Sequence, residues 1–164
     1  MRMSEGVEWA AHCAVVLAAL PDGEVLPAAR LAEYHGVPGP YLAKSLQALA
    51  RAGLVEATTG RRGGYRLRRP ASEITLLDVY RAVEGDEGFF RCTEIRQRAP
   101  VPRPARSYRT TCGIAAAMAR AEAAWRDQLA GATVADLLAG VLRQAPPAVL
   151  AGTAVWLQSA LHRT

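Results

Sequence analysis

The stretch YLAKSLQALARAGLVEATTGRRGGYRLRRP, residues 41–70, decides the fold of this chain. Its first half places Leu42, Leu46 and Leu49 on one face of a predicted helix that runs from about Pro40 to Gly53. Its second half holds two short β-prone segments, LVEAT and YRLRR, joined by TGRRGG, whose three glycines permit the positive φ angles of a hairpin turn. The stretch therefore predicts a helix followed by a β-hairpin.

Two further helices are predicted upstream of this stretch. The segment PAARLAEYHG begins with a proline suited to a first helical turn and stops at Gly36. Ala32, Gly36 and Leu42 supply the small, flexible and anchoring residues of a helix-turn-helix. A first helix is expected from Ser4, as its N-cap, to Leu20, where Pro-Asp-Gly breaks the pattern.

A helix-turn-helix followed by an arginine-tipped hairpin predicts a winged helix that binds double-stranded DNA. The third helix would enter the major groove, and the hairpin would place Arg61 and Arg62 on phosphates. Tyr41, Lys44 and Gln47 are the candidate base contacts, because they lie off the leucine face. The alternative is a basic, solvent-exposed hairpin that binds no nucleic acid.

Composition favours the same function class. The chain has 164 residues and a net charge of +5, and residues 51–70 contain six arginines against the single acid Glu56. A local cationic patch suits phosphate backbones. The length fits one domain or one small domain with a helical appendage. No apolar run reaches the roughly 18 residues of a membrane span, and the N-terminus lacks a signal-like segment, so we expect a cytoplasmic protein without a membrane partner.

The rest of the chain divides into helices around one long loop. A capped helix is expected from Ser72 to Gly85, and the periodicity then disappears over residues 86–111. Further helices are predicted from Cys112, from near Thr133 and after Pro147. These patterns predict a mainly α protein with a DNA-binding domain at 1–85, a loop at 86–111, and a long dimerisation helix followed by C-terminal helices at 112–164.

The long helix carries a narrow apolar seam. Ile114, Met118, Ala121 and Trp125 recur at alternating four- and three-residue steps, with polar residues on either side. Such a seam is suited to pairing with a second copy of itself, so a homodimer is expected. The alternative is packing of the seam against its own domain.

The chemistry-bearing residues are few. Glu8 and His12 are four apart on the first helix, so a single metal could contact both; the alternative is an ordinary surface pair. Cys13, Cys92 and Cys112 make an odd number of cysteines, which leaves metal ligation, redox sensing and core packing open. Cys13 should point into the apolar interior, and it is not expected to be a ligand.

The order of these parts resembles the Rrf2 family of bacterial winged-helix regulators. The resemblance covers about residues 1–140 and is carried by YLAKSLQALARAGLV, GRRGGYRLRRP, EITLLDVYRAVEG, ATVADLL, and the positions of Cys92 and Cys112. It implies a homodimeric transcription regulator, not an enzyme, of a kind that often senses through an iron-sulfur cluster. Many members place three closely spaced cysteines in the loop, whereas this chain has none between Cys92 and Cys112.

Within the family, the opening GVEWAAHC and the segment CTEIRQR resemble the redox-sensing RsrR branch. That resemblance implies a 2Fe-2S cluster held by Glu8, His12, Cys92 and Cys112, two ligands for each iron. The family's architecture further implies that the first helix of one protomer meets the cysteine loop of the other. Redox state would then set DNA affinity.

Two rival functions follow from the same residues. One is a cluster-free family member that responds to a partner protein or to a Cys92–Cys112 disulfide. The other is a small metal or redox enzyme that uses His12, Cys92 and Cys112 around one metal, although the sequence offers no general base in a suitable context.

Overall fold

The computed structural model describes residues 3–60, 62–101 and 104–162, and it is mainly helical. Seven α-helices and one two-stranded antiparallel sheet lie within these ranges: α1 (Glu5–Ala18), α2 (Ala28–His35), α3 (Gly39–Arg51), β1 (Val55–Thr58), β2 (Gly64–Leu67), α4 (Leu76–Glu84), α5 (Gly113–Ala130), α6 (Val134–Gln144) and α7 (Pro147–His162). None of these helices is long and apolar enough to cross a membrane.

The helix-turn-helix forms as predicted. Gly36 ends α2 in the left-handed conformation, with φ of 64°, and the Val37 amide donates to the Ala32 carbonyl oxygen at 3.0 Å. Leu42, Leu46 and Leu49 are fully buried, so the predicted apolar face of α3 is confirmed. Its other face is left to solvent.

The hairpin also forms, but its glycines act differently from the prediction. Val55 pairs with Leu67 and Thr58 with Gly64. Of the glycines in TGRRGG, only Gly60 has a positive φ, at 102°. A Cβ on Gly64 would lie 2.7 Å from the Leu26 backbone, because Leu26 pairs with Tyr65 as a short extra rung beside the sheet. Gly64 is therefore required for close backbone approach and not for its φ angle.

The start of α4 differs from the sequence expectation. Ser72 lies in a 3-10 turn, and the N-cap is Thr75, whose hydroxyl accepts from the Asp78 amide at 3.1 Å. The Asp78 carboxylate in turn accepts from the Thr75 amide at 2.9 Å. This reciprocal pair satisfies two amides at once, which a serine three residues earlier without an acidic partner does not.

The C-terminal helices belong to the same core as the winged helix. α6 begins at Thr133, which forms a second capping box with Asp136, and Val134 is buried against the α1 side of the core. Ala160 of α7 is buried in that cluster too. The described parts of residues 86–111 contain only two 3-10 turns, Ile95–Arg98 and Ala105–Tyr108, so the predicted loop is confirmed there.

Candidate functional site

The DNA-reading candidates share one exposed face of α3. Tyr41, Lys44 and Gln47 are all exposed, opposite the buried leucines. The Lys44 ammonium lies 5.5 Å from the centre of the Tyr41 ring, within the range of a cation–π contact. The face therefore offers a cation, an aromatic ring and an amide side by side, the groups that read base edges in a major groove.

The wing presents part of its positive charge freely. Arg62 is exposed in the hairpin turn, whereas Arg61 lies outside the described residues. Arg66 on β2 is paired with Glu56 on β1, directly across the strands. Arg66 therefore stabilises the hairpin, whereas Arg62, at its tip, has no ion-pair partner among the residues that the structure describes.

Glu8 and His12 lie exposed on α1, as the four-residue spacing predicted. Together with Trp9, His35 and Val37 they line an open cavity of about 190 Å³. Trp9 also borders a second cavity, of about 390 Å³, that reaches Tyr41 and Lys44 on α3. The Trp9 indole therefore lies between the Glu8–His12 pair and the exposed face of α3 that carries Tyr41 and Lys44.

His35 is a residue of this cavity that sequence reasoning missed. Its ring centre lies 5.7 Å from that of His12 and 5.0 Å from that of Tyr34, and its Nε2 atom is buried without a hydrogen-bond partner among the described residues. Burial, and then the charge of His12, lower the pKa of His35. The sequence gives no signal for this contact, because it depends on how α1 and α2 both pack on α3.

The two loop cysteines have unequal surroundings. Cys92 is exposed, whereas Cys112 is half-buried at the N-cap position of α5. The backbone amides of Ala115 and Ile114, in the first turn of α5, lower the pKa of the Cys112 thiol, and the Arg96 charge adds to that effect. Cys112 is therefore the thiol best prepared to act as a thiolate.

The loop between these cysteines is held by Arg96. The Arg96 guanidinium pairs with the Glu94 carboxylate, with an Nη2 to Oε2 distance of 2.7 Å. Its Nη2 also donates to the Thr110 carbonyl oxygen at 3.2 Å, and its charge interacts with both Cys92 and Cys112. Arg96 thus contacts both arms of the loop.

Cys13 is buried in the main core, as predicted. Burial raises the pKa of its thiol to about 12. A protonated and inaccessible thiol is a poor ligand, so its assignment to core packing is confirmed.

A match to a known family accompanies this geometry. The family model described as Rrf2, iron-dependent transcriptional regulator, matches residues 3–140. The chain belongs to the Rrf2 family. Protein aau3 of Rhizobium meliloti (strain 1021) is 38% identical to it over 140 residues, which are 84% of this chain and 85% of that protein.

Two solved structures show the same Rrf2 architecture. Staphylococcus aureus CymR is 26% identical, with a TM-score of 0.60, and the match covers 82% of this chain and 96% of CymR. T. potens IscR has a TM-score of 0.67 at 21% identity, covering 89% of this chain and 93% of that one, which is a likeness of fold. The chain is therefore a winged-helix, DNA-binding transcription regulator and not an enzyme.

The four cluster ligands implied by the resemblance to the RsrR branch are not brought together within the described chain. Among residues 3–60, 62–101 and 104–162, no three His, Cys, Asp or Glu side chains are grouped closely enough to hold a metal. Glu8 and His12 remain a pair on α1, and Cys92 and Cys112 remain at the two ends of the loop. Within the described part of the chain, the two pairs therefore form no shared site.

Proposed function

We propose that this Rrf2 protein is a homodimeric regulator whose affinity for operator DNA depends on the redox state of a 2Fe-2S cluster. Cys92 and Cys112 of one protomer and Glu8 and His12 of the other would hold the cluster. The observation that carries the proposal is the split donor set: Glu8, His12 and Cys92 are exposed and Cys112 is half-buried, and among the described residues neither pair is completed within its own chain. In this division, residues 1–85 read DNA, 86–111 form the cluster loop, and 112–164 contain the dimerisation helix and the C-terminal helices.

The chemistry of the donor set fits such a cluster. Thiolates are the usual ligands of iron-sulfur clusters, and histidine replaces them at one iron in Rieske centres. The pKa of Cys112 is already lowered by the first turn of α5, so binding requires less proton release there. Glu8 and His12 share one helix face, which allows both to reach the same iron. When bound, the cluster would supply a one-electron redox change at this position.

An apolar cavity beside the ligand pair supports docking of the partner's loop there. It has a volume of about 270 Å³ and is lined by Val7, Ala11, Leu76, Tyr80 and Leu129, with Glu8 and His12 at its edge. Ile114, two residues after Cys112, is 67% exposed at the start of α5. We infer that the partner's α5 start covers this cavity, which would carry the partner's thiolates towards α1.

The route from this site to DNA runs through α1. α1 packs directly on α3, and Trp9 lines both the cavity that holds His12 and the cavity that reaches Lys44. A shift of α1 would therefore move the support of the DNA-reading helix. A hundredfold change in operator affinity requires a difference of only about 2.7 kcal/mol between the two redox states.

The test is to purify the protein without oxygen, measure visible absorbance, iron and sulfide, and titrate operator affinity in the oxidised and the dithionite-reduced protein. We expect about two irons at each site that the two protomers share. We also expect operator affinity to differ at least tenfold between the oxidised and the reduced protein. Glu8→Ala and His12→Ala should each perturb the spectrum, with Glu5→Ala, an exposed acid on the same helix, as the matched control. A colourless protein, or equal affinity in both states, would overturn the proposal.

A second candidate is a thiol switch without a cluster. It is favoured by the closure of the loop between Cys92 and Cys112, where Arg96 joins Glu94 to the Thr110 carbonyl oxygen. In that case the two thiols would lose two protons and two electrons to an added disulfide such as oxidised glutathione. The protein mass would fall by two hydrogens, and operator affinity would follow that change in iron-free protein.

A further inference from the structure

We propose that Arg96 is a positioning residue that holds the Cys92 and Cys112 thiols together as one donor pair. The proposal rests on the proposed function of these cysteines, but it concerns the loop itself and applies to the iron-free protein as well. It follows from how the loop between the cysteines is closed.

The Arg96 contacts are placed symmetrically with respect to the two cysteines. Glu94, which receives the guanidinium through both of its oxygens, stands two residues after Cys92. Thr110, whose carbonyl oxygen accepts from Arg96 Nη2 at 3.2 Å, stands two residues before Cys112. One side chain therefore ties the outgoing arm to the returning arm, at points two residues along the chain from each cysteine.

The closure has a second element. The Tyr108 hydroxyl donates to the Arg96 carbonyl oxygen at 3.4 Å, and the Arg96 guanidinium lies 5.7 Å from the centre of the Tyr108 ring. Both the backbone and the side chain of Arg96 therefore help to close the loop. Side chains at Glu94 and Arg96 are only 27% and 22% exposed, so this part of an otherwise open loop is ordered by its own contacts.

The backbone of Glu94 adopts a conformation that a non-glycine residue rarely adopts, which indicates that the contacts of the loop hold it there. Glu94 has φ of 49°, the only positive φ at a non-glycine residue in the described chain. A left-handed glutamate persists only where surrounding contacts hold it there. The bidentate pair with Arg96 supplies such contacts, and the planar fork of arginine is needed to make them.

The same 3-10 turn offers a matched control. Arg98, two residues after Arg96, is an exposed arginine of that turn, so its removal changes the charge of the loop while the contacts of Arg96 with Glu94 and Thr110 are kept.

The test uses iron-free protein and phenylarsine oxide, whose arsenic forms two As–S bonds with a neighbouring pair of thiols and releases its oxygen as water. Arg96→Ala should weaken binding of the arsenical at least tenfold, about 1.4 kcal/mol. Arg96→Lys, which keeps the charge and loses the fork, should fall in between. Arg98→Ala removes a charge from the same turn and should bind like the wild type. Cys92→Ser removes one thiol of the pair, so it measures how strongly the arsenical binds to single thiols.

Hydrogen exchange of residues 92–112 provides a second readout, and thermal unfolding checks that each variant is folded. We expect faster exchange in Arg96→Ala and wild-type exchange in Arg98→Ala. Equal arsenical affinity in Arg96→Ala and wild type, with unchanged exchange, would overturn the role of Arg96 whether or not a cluster binds. Conversely, a wild-type protein that takes up no cluster while Arg96→Ala still weakens arsenical binding would reject the proposed function alone.

Discussion

The indole of Trp125 packs edge-on against the ring of Phe89, with the ring centres 4.4 Å apart. Tyr80 completes the cluster, 4.8 Å from Trp125, and Phe89 lies three residues before Cys92. The C-terminal half of the α5 seam therefore packs against residues of its own protomer. In the N-terminal half, Ile114 and Met118 remain 67% and 41% exposed.

This division separates the effects of two substitutions on one helix. Met118→Glu should produce monomers whose internal packing is intact, because it places charge in the exposed half of the seam; the stability lost should be only the part that depends on protein concentration. Trp125→Ala should lower the free energy of unfolding by about 3 kcal/mol, because it empties an aromatic cluster. Sedimentation and urea unfolding measure the two effects. Val155→Glu, a charge at an exposed valine of α7, is the control. A wild-type protein that is monomeric at micromolar concentration would contradict the pairing.

The wing should contribute affinity without sequence preference. Arg61→Ala combined with Arg62→Ala should weaken binding to every DNA sequence alike and reduce the slope of log K against log salt by about one to two units. Arg66→Ala serves as a contrast, since Arg66 is paired with Glu56 and should chiefly lower hairpin stability. Fluorescence anisotropy at several salt concentrations measures this, and an unchanged slope in the double variant would place the wing off the DNA.

α3 should contribute sequence preference. Lys44→Ala removes an exposed cation from the face opposite the buried leucines, so we expect relaxed discrimination at particular base pairs, worth about 1–3 kcal/mol at each. Gln47→Ala should affect a different position. A selection from randomised operator sequences reports both changes. Uniform weakening across all sequences would show that Lys44 binds phosphate instead.

The three cysteines should differ in reactivity in the native protein. At pH 7, iodoacetamide should modify Cys112, whose pKa is lowered by the amides of Ala115 and Ile114, and leave the buried Cys13 intact. Mass spectrometry of digests identifies the sites, and all three should react in denaturant. Labelling of native Cys13 as fast as Cys112 would contradict its burial.

The raised pKa of Cys13 also predicts a pH effect on stability. Above the thiol's ordinary pKa of 9.0, the unfolded chain loses this proton while the folded chain keeps it up to about 12. The free energy of unfolding should therefore fall as pH rises through that window. Cys13→Ala should remove this part of the pH dependence, although it also opens a small cavity.

The start of α4 can be tested by comparing two hydroxyl residues. Thr75→Ala should lower the free energy of unfolding by about 1 kcal/mol, because the Asp78 amide loses its acceptor. Ser72→Ala, in the preceding 3-10 turn, should change it by less than about 0.5 kcal/mol. An equal loss of unfolding free energy in the two variants would indicate that Ser72 contributes as much as Thr75 to the start of α4.

The sequence alone determined the elements of this fold. The leucine spacing of α3, the left-handed Gly36 after α2 and the glycine-rich hairpin turn each depend on residues a few positions apart, and local dihedral preferences and capping fix them. The same holds for the pairing of Glu8 with His12 on one face of α1. The cap of α4 was placed wrongly because two hydroxyl residues were available, and only Thr75 has an acid three residues later.

Tertiary structure alone decided which distant residues meet. His35 lies beside His12 because α1 and α2 both pack on α3, Trp125 lies against Phe89 because α5 packs on α4, and Arg96 reaches Thr110 because the loop folds back on itself. The same packing keeps Glu8 and His12 apart from Cys92 and Cys112 within one chain. Periodicity along a helix predicts which face is apolar. Which element packs on that face depends on how apolar surface is buried over the whole core.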